Sequence, residues 1–209
     1  MIDTELLATQ IKQWAKELGF QQAGISSGDL TLYENRLEDW LKNDYHGEMD
    51  YMKRHGKKRT DPKTLLSWTK SIISVRMNYL PPNTHMTKQL QNKEKAYLSR
   101  YALGRDYHKL IRKRLKKLAE KIETVVGPFQ YRPFADSAPV MEKPLAEKSG
   151  LGWIGKNTNL INREAGSWFF LGTLYLDIDL PNDRSVKNHC GTCSACLTVC
   201  PTNAFVGPY

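Results

Sequence analysis

The chain has 209 residues, a 40% apolar share and a formal net charge of +9. That length holds one substantial domain of roughly 150–200 residues and a small appendage. No apolar run approaches the ~20 residues of a membrane span, and the opening Ile2-Asp3-Thr4-Glu5 lacks the basic start and apolar stretch of a secretory signal. A cytoplasmic protein with no membrane partner is therefore expected.

The first predicted element is a helix capped by Thr4, carrying Leu7, Ile11, Trp14, Ala15 and Leu18 on one face and ended by Gly19. A short strand follows around Ala23-Gly24-Ile25, then a second helix over residues 30–42. Lys53, Arg54, Lys57, Lys58, Arg59 and Lys63 form a basic block ahead of a buried strand over residues 71–79, closed by Pro81-Pro82. The next helix has Ile111, Leu115, Leu118, Ile122 and Val125 at helical spacing, with Gly127-Pro128 as its stop. Its other face carries a second basic block, Lys109, Arg112, Lys113, Arg114, Lys116, Lys117 and Lys121. A solvated face accounts for one such block; two of them also suit a polyanion such as RNA. A strand over residues 129–134, a helix over 142–149 and a long strand over 168–178 complete the pattern. The alternation predicts an α/β (α+β) domain over residues 1–180, with a separate small module over 181–209 opened by the Pro181-Asn182-Asp183 turn.

Two stretches carry chemistry. Gly150-Leu151-Gly152-Trp153-Ile154-Gly155-Lys156-Asn157-Thr158 packs glycines around an indole, which suits either a tight structural turn or a loop held against a large flat or anionic ligand. It is neither a phosphate-binding loop of Walker type nor a dinucleotide fingerprint. Just before it, Asp136 lies where a strand gives way to a turn. It is a turn former or, if burial raises its pKa, a proton donor.

The second stretch is Cys190, Cys193, Cys196, Cys200 and Pro201, which together form the bacterial ferredoxin run Cys-x2-Cys-x2-Cys-x3-Cys-Pro. In that arrangement three thiolates hold one [4Fe–4S] cluster and the last serves a second. A zinc knot separates its cysteine pairs by a longer gap. The second cluster would need cysteines this sequence does not contain, so either this is the N-terminal part of a longer protein, as the ending at Gly207-Pro208-Tyr209 favours, or one cluster takes all four of these cysteines, or the last site is filled from elsewhere.

Taken together, Tyr101-Ala102-Leu103-Gly104-Arg105-Asp106-Tyr107-His108-Lys109, Asp136-Ser137-Ala138-Pro139, the glycine loop, the segment from Asn159 to Phe170 and the cysteine run resemble epoxyqueuosine reductase. The resemblance implies a nitroreductase-like cobalamin-binding domain followed by a partial ferredoxin-like module, with two clusters and a helical-repeat region in the complete enzyme. It implies reduction of the epoxide of epoxyqueuosine, at the wobble position of tRNA, to the alkene of queuosine. Asp136 would be the proton donor and would also touch cobalamin. Arg59, Ser99, Gly155, Lys156, Asn157, Thr158 and Leu160 fall in the corrin-contacting segments, and the family uses no protein histidine on cobalt. His108 would shape the pocket or contact RNA. An external low-potential electron donor and a monomeric state are expected. Two alternatives share part of this pattern: a reductive-dehalogenase-like corrinoid enzyme acting on a small molecule, and a non-catalytic electron-transfer or RNA-binding protein.

Overall fold

The computed structural model describes residues 2–82 and 85–209. In chain order it contains α1 (Thr4–Glu17), β1 (Gln22–Ser26), α2 (Thr31–Lys42), α3 (Pro62–Leu65), β2 (Ser71–Asn78), α4 (Met86–Leu90) and α5 (Tyr107–Val126). β3 (Tyr131–Phe134), α6 (Glu142–Lys148), β4 (Trp153–Ile154), β5 (Leu160–Ile161), β6 (Phe169–Leu176) and α7 (Ala195–Thr198) follow.

The main sheet has the order β1-β2-β6-β3 and every pair in it is antiparallel. The fold is therefore α+β. β2 and β6 pair over eight residues, from Ser71 opposite Leu176 to Asn78 opposite Phe169. Both strands are covered on two faces, so alternate residues enter different cores. Ile73, Val75 and Leu174 pack beneath α1 and α5, whereas Ile72 and Tyr175 pack with Leu145 of α6 on the other side. β3 is an edge strand, a position where Pro133 removes no ladder bond from the interior.

Local chemistry sets the helix ends. Asp3, not Thr4, caps α1, because its carboxylate reaches the amides of both Glu5 and Leu6 at 3.0 Å. Asp106 caps α5, and Gly127 ends it with φ 79°. Ile111, Leu115, Leu118 and Ile122 of α5 are fully buried. Val125 is 45% exposed, and Val126 packs on the core in its place, as a 3.6-residue period continued from Ile122 allows.

Two glycines permit close approach of layers. A Cβ on Gly172 would meet Ile111 Cγ2 at 2.5 Å, so the missing side chain lets α5 seat on β6. A Cβ on Gly24 would meet the Ser149 carbonyl oxygen at 1.9 Å, where the end of α6 crosses β1. Gly24→Ala is expected to destabilise the fold by about 1–3 kcal/mol or more, since backbone must move. Gly104→Ala, which meets nothing within 4 Å, serves as the neutral control. Urea unfolding of the two variants checks this.

Candidate active site

At one end of the sheet, β3 runs out into Asp136, β6 begins, and the starts of α5 and α6 converge. Between them lies a cavity of about 470 Å³ whose walls include Arg59, Tyr107, Asp136, Glu142, Lys143 and Phe170. A second cavity of about 480 Å³ adjoins it, sharing Met52, Met141, Lys143 and Pro144 and adding Tyr33, Trp40 and Thr158.

Asp136 is the centre of the hydrogen-bond network. Its backbone is left-handed, φ 62°, a conformation that aspartate tolerates better than most residues with a side chain. Its amide donates to Glu142 Oε1 at 3.0 Å. Its Oδ2 accepts from the Tyr107 hydroxyl at 2.7 Å and lies 3.1 Å from His108 Nε2. The other nitrogen of His108 lies 2.9 Å from Asp106 Oδ1, the oxygen that also caps α5 through the His108 amide. A singly protonated imidazole donates to one of these carboxylates, a doubly protonated one to both. The Asp136 side chain is 60% exposed, because it faces the cavity and not the core.

Aromatic packing fixes the donors. Tyr107 stacks on Phe170 of β6, with ring centroids 3.9 Å apart, and on His108 at 4.0 Å. Burial, and then the hydrogen bond to Asp136, push the Tyr107 phenol well above its ordinary range, so it stays a neutral donor. Burial pushes Glu142 up to about 7; the neighbouring Asp136 charge acts in the same direction, while the Asp136 amide and His108 oppose it. Burial also lowers Lys143 and Arg59. Lys143 Nζ donates to the Thr158 carbonyl at 2.8 Å. Arg59 donates to the Tyr51 carbonyl at 3.3 Å, but its buried Nε has no partner among the described residues.

The expected cofactor residues are not all gathered here. Arg59 and Asp136 share the first cavity, and Thr158 lines the second. Ser99 instead begins the short turn Arg100–Ala102. Leu160 is buried beside Leu151 and Phe169. The space a Gly155 side chain would need is filled by Ile161 Cδ1 and Asn157 Oδ1, and that of Gly152 by the Ile161 carbonyl. These two glycines are thus accounted for by the tight β4–β5 hairpin. Asn157 Oδ1 accepts from the Asn159 amide within the same turn. Lys156 instead donates to the Gly191 and Cys193 carbonyls at 2.8 and 2.9 Å.

Cys190, Cys193, Cys196 and Cys200 are free thiols on one short segment. Cys200 Sγ accepts from the Ala204 amide at 3.4 Å, and hydrogen bonds from Thr202 and then from backbone amides lower its thiol pKa. Among the described residues no three His, Cys, Asp or Glu side chains converge closely enough to hold a metal ion.

Residues 59–137 match the family model described as epoxyqueuosine reductase QueG, DUF1730. An epoxyqueuosine reductase of Pseudomonas aeruginosa is 60% identical over 99% of this chain and 58% of its own length. That of Escherichia coli K12 is 57% identical over 100% of this chain and 55% of its own. Over almost its whole length the chain is similar to these epoxyqueuosine reductases. It spans about half the length of these relatives. The solved epoxyqueuosine reductase of Streptococcus thermophilus superposes with a TM-score of 0.83 at 28% identity, covering 96% of this chain and 54% of that one. Another epoxyqueuosine reductase, solved with an epoxyqueuosine-modified tRNA-Tyr stem loop, has the same fold, with a TM-score of 0.84 at 24% identity over 97% of this chain and 54% of that one. A reductive dehalogenase described as B12-dependent shares the fold more distantly, with a TM-score of 0.54 at 15% identity over 90% of this chain and 22% of that one.

Tyr107, Asp106 and Glu142 were not singled out by sequence reasoning as site residues. The one available signal was an Asp-Tyr-His run opening a helix, which points its first turn at whatever lies beyond the helix end.

Glu142 makes stability pH-dependent. Its ordinary value is 4.5 and its folded value about 7, so between these the folded chain holds a proton that the unfolded chain has released. Stability therefore falls as pH rises through this window and levels off above it. Glu142→Gln removes the titrating group, and its melting temperature relative to wild type is expected to rise between about pH 5 and about pH 8. Parallel melting curves at both pH values would contradict the assignment.

Proposed function

We propose that the whole protein reduces the epoxide of epoxyqueuosine, at the wobble position of tRNA, to the alkene of queuosine, with Asp136 as the proton donor. The observation that carries this reading is a carboxylate held on one oxygen and open to a cavity on the other side. Tyr107 and His108 engage Oδ2, which leaves Oδ1 to carry a proton toward the substrate oxygen. Converting an epoxide to an alkene consumes two electrons and two protons and releases water, so an acid beside the breaking carbon–oxygen bond lowers the barrier.

The donor set fits a large amphipathic cofactor. Apolar walls from Met52, Val140, Phe169 and Phe170 would cover a flat ring, while Arg59, Lys143 and Thr158 would meet its polar rim; the unpartnered Arg59 Nε is a group such a ligand would satisfy. Cobalamin bound there would supply the electrons, with [4Fe–4S] clusters restoring its reduced state from an external low-potential donor. Cys190, Cys193 and Cys196 would hold one cluster, and Cys200 would serve a second whose other ligands lie outside this sequence. On this reading residues 1–180 form the cobalamin domain, 181–209 begin the ferredoxin-like module, and the enzyme works as a monomer in the cytoplasm. No helix among the described residues is long and apolar enough to cross a membrane.

The RNA would approach across α5. Lys109, Lys113, Lys116 and Lys117 are exposed on the helix whose first turn supplies Tyr107 and His108, so phosphate contacts and the reacting base would share one element. The triple replacement Lys113→Glu, Lys116→Glu, Lys117→Glu is expected to weaken tRNA binding and to reduce its salt slope by roughly 2–3, about one unit for each phosphate no longer neutralised. An unchanged slope would show a merely solvated face.

Asp136→Asn in the full-length protein keeps the turn and a hydrogen-bonding group but removes the acid. Reduction of epoxyqueuosine-containing tRNA is expected to fall about 100- to 10,000-fold, with corrin absorbance retained. A variant with wild-type turnover would return Asp136 to the role of a turn residue.

A further inference from the structure

We infer that Glu142 is a positioning residue for Asp136, holding the left-handed backbone of that residue through its N–H and so fixing where its carboxyl group faces. The inference rests on the reading of Asp136 as the proton donor.

The loop is short and sharply bent. The Ser137 amide donates to the Ala135 carbonyl at 2.8 Å, and the Ala138 amide to the Asp136 carbonyl at 2.9 Å. Between them Asp136 sits at φ 62°, which its Cβ disfavours, so the conformation persists only where neighbours over-determine it. Tyr107 and His108 restrain the side chain from the α5 side. Glu142 restrains the backbone from the α6 side, accepting the amide at the apex of the bend. Without that acceptor the Asp136 N–H loses its protein partner and turns to water in the open cavity. Turning the peptide to find another partner would carry the carboxyl group away from Tyr107 and from the cavity. A displacement of about 1 Å at a reacting group costs about a hundredfold in rate, so this restraint bears directly on proton delivery.

The test uses the full-length enzyme with both cofactors. Glu142→Leu removes the acceptor, Glu142→Met removes it at similar length, and Glu142→Gln keeps an amide oxygen for the same N–H. Two readouts are needed: steady-state reduction of an epoxyqueuosine-containing stem loop, and amide exchange of the peptide spanning residues 135–140 by mass spectrometry. The Leu and Met variants are expected to exchange faster in that peptide alone and to lose about tenfold to a hundredfold in kcat with KM little changed. Glu142→Gln is expected to keep the slow exchange and most of kcat. Wild-type exchange in both apolar variants overturns the inference, as does a Gln variant that loses as much activity as Leu. Should Leu not fold, Met and Gln decide between the outcomes. The exchange readout in an Asp136→Asn background tests the restraint without activity, so failure of the proton-donor reading and failure of the positioning role are told apart.

Discussion

The eight-residue pairing of β2 with β6, buried on both faces, is the constraint from which the site follows. Because the strands alternate between two cores, a slip of one residue would exchange Ile73, Val75 and Leu174 for Ile72, Ser74 and Tyr175. The register is thus set by which side chains fit each core. It also places Gly172 beneath Ile111 and Phe170 beside Tyr107. α5 can then lie close to β6 along its length and is pinned at its first turn by a stacked aromatic pair. Once that turn is fixed, the Tyr107 hydroxyl and the His108 imidazole meet the carboxylate of Asp136, at the end of the edge strand next to β6.

Burial sorts the ionisable groups of this corner by role. Tyr107 and Glu142 are driven toward their neutral forms by loss of water, while the Asp136 side chain opens toward the cavity. A neutral phenol can donate to Asp136 in either of its protonation states, so Tyr107 holds the carboxyl group in place throughout. The backbone bond to Glu142 works in the same way, since a carboxyl oxygen accepts whether or not its partner oxygen carries a proton. The arrangement separates holding from proton exchange.

Much of the fold was legible because its elements obey local rules. The helices over 30–42 and 142–149 and the strands over 71–79 and 168–178 lie within a residue or two of the observed ends, since apolar period and capping chemistry act within a few residues. What local rules cannot carry is pairing between distant segments. Strand direction was open, and the contact between Tyr107 and Asp136 joins positions 29 apart in sequence. The glycine loop could be read toward a ligand or toward a turn, because glycine spacing reports close approach without naming the partner. For Gly152 and Gly155 that partner is the neighbouring strand. Arg114 shows the same limit for charge. Its place in a basic block suggests a solvated face, yet it donates to the Gly19 carbonyl and lies 3.0 Å from the thioether sulfur of Met77, tying α5 to the end of α1.

Among the described residues the cysteine segment is joined to the rest mainly by polar bonds, beside an edge-on ring contact of His189 with Trp153. Asp183 accepts from the Ile25 amide at 2.9 Å and pairs with Lys12 at 2.5 Å, anchoring the chain as it leaves the sheet. Beyond it, Lys156 grips the Gly191 and Cys193 carbonyls, and the Tyr209 amide returns to the Lys156 carbonyl at 3.3 Å. Two residues along the same hairpin, Thr158 lines the second cavity and its carbonyl holds Lys143, which borders both. One tight hairpin therefore touches the thiol-bearing segment at Lys156 and the cavity wall at Thr158. Its glycines keep it narrow enough to do both, which gives the loop composition a physical reason that neither a bare turn nor a simple ligand loop supplies.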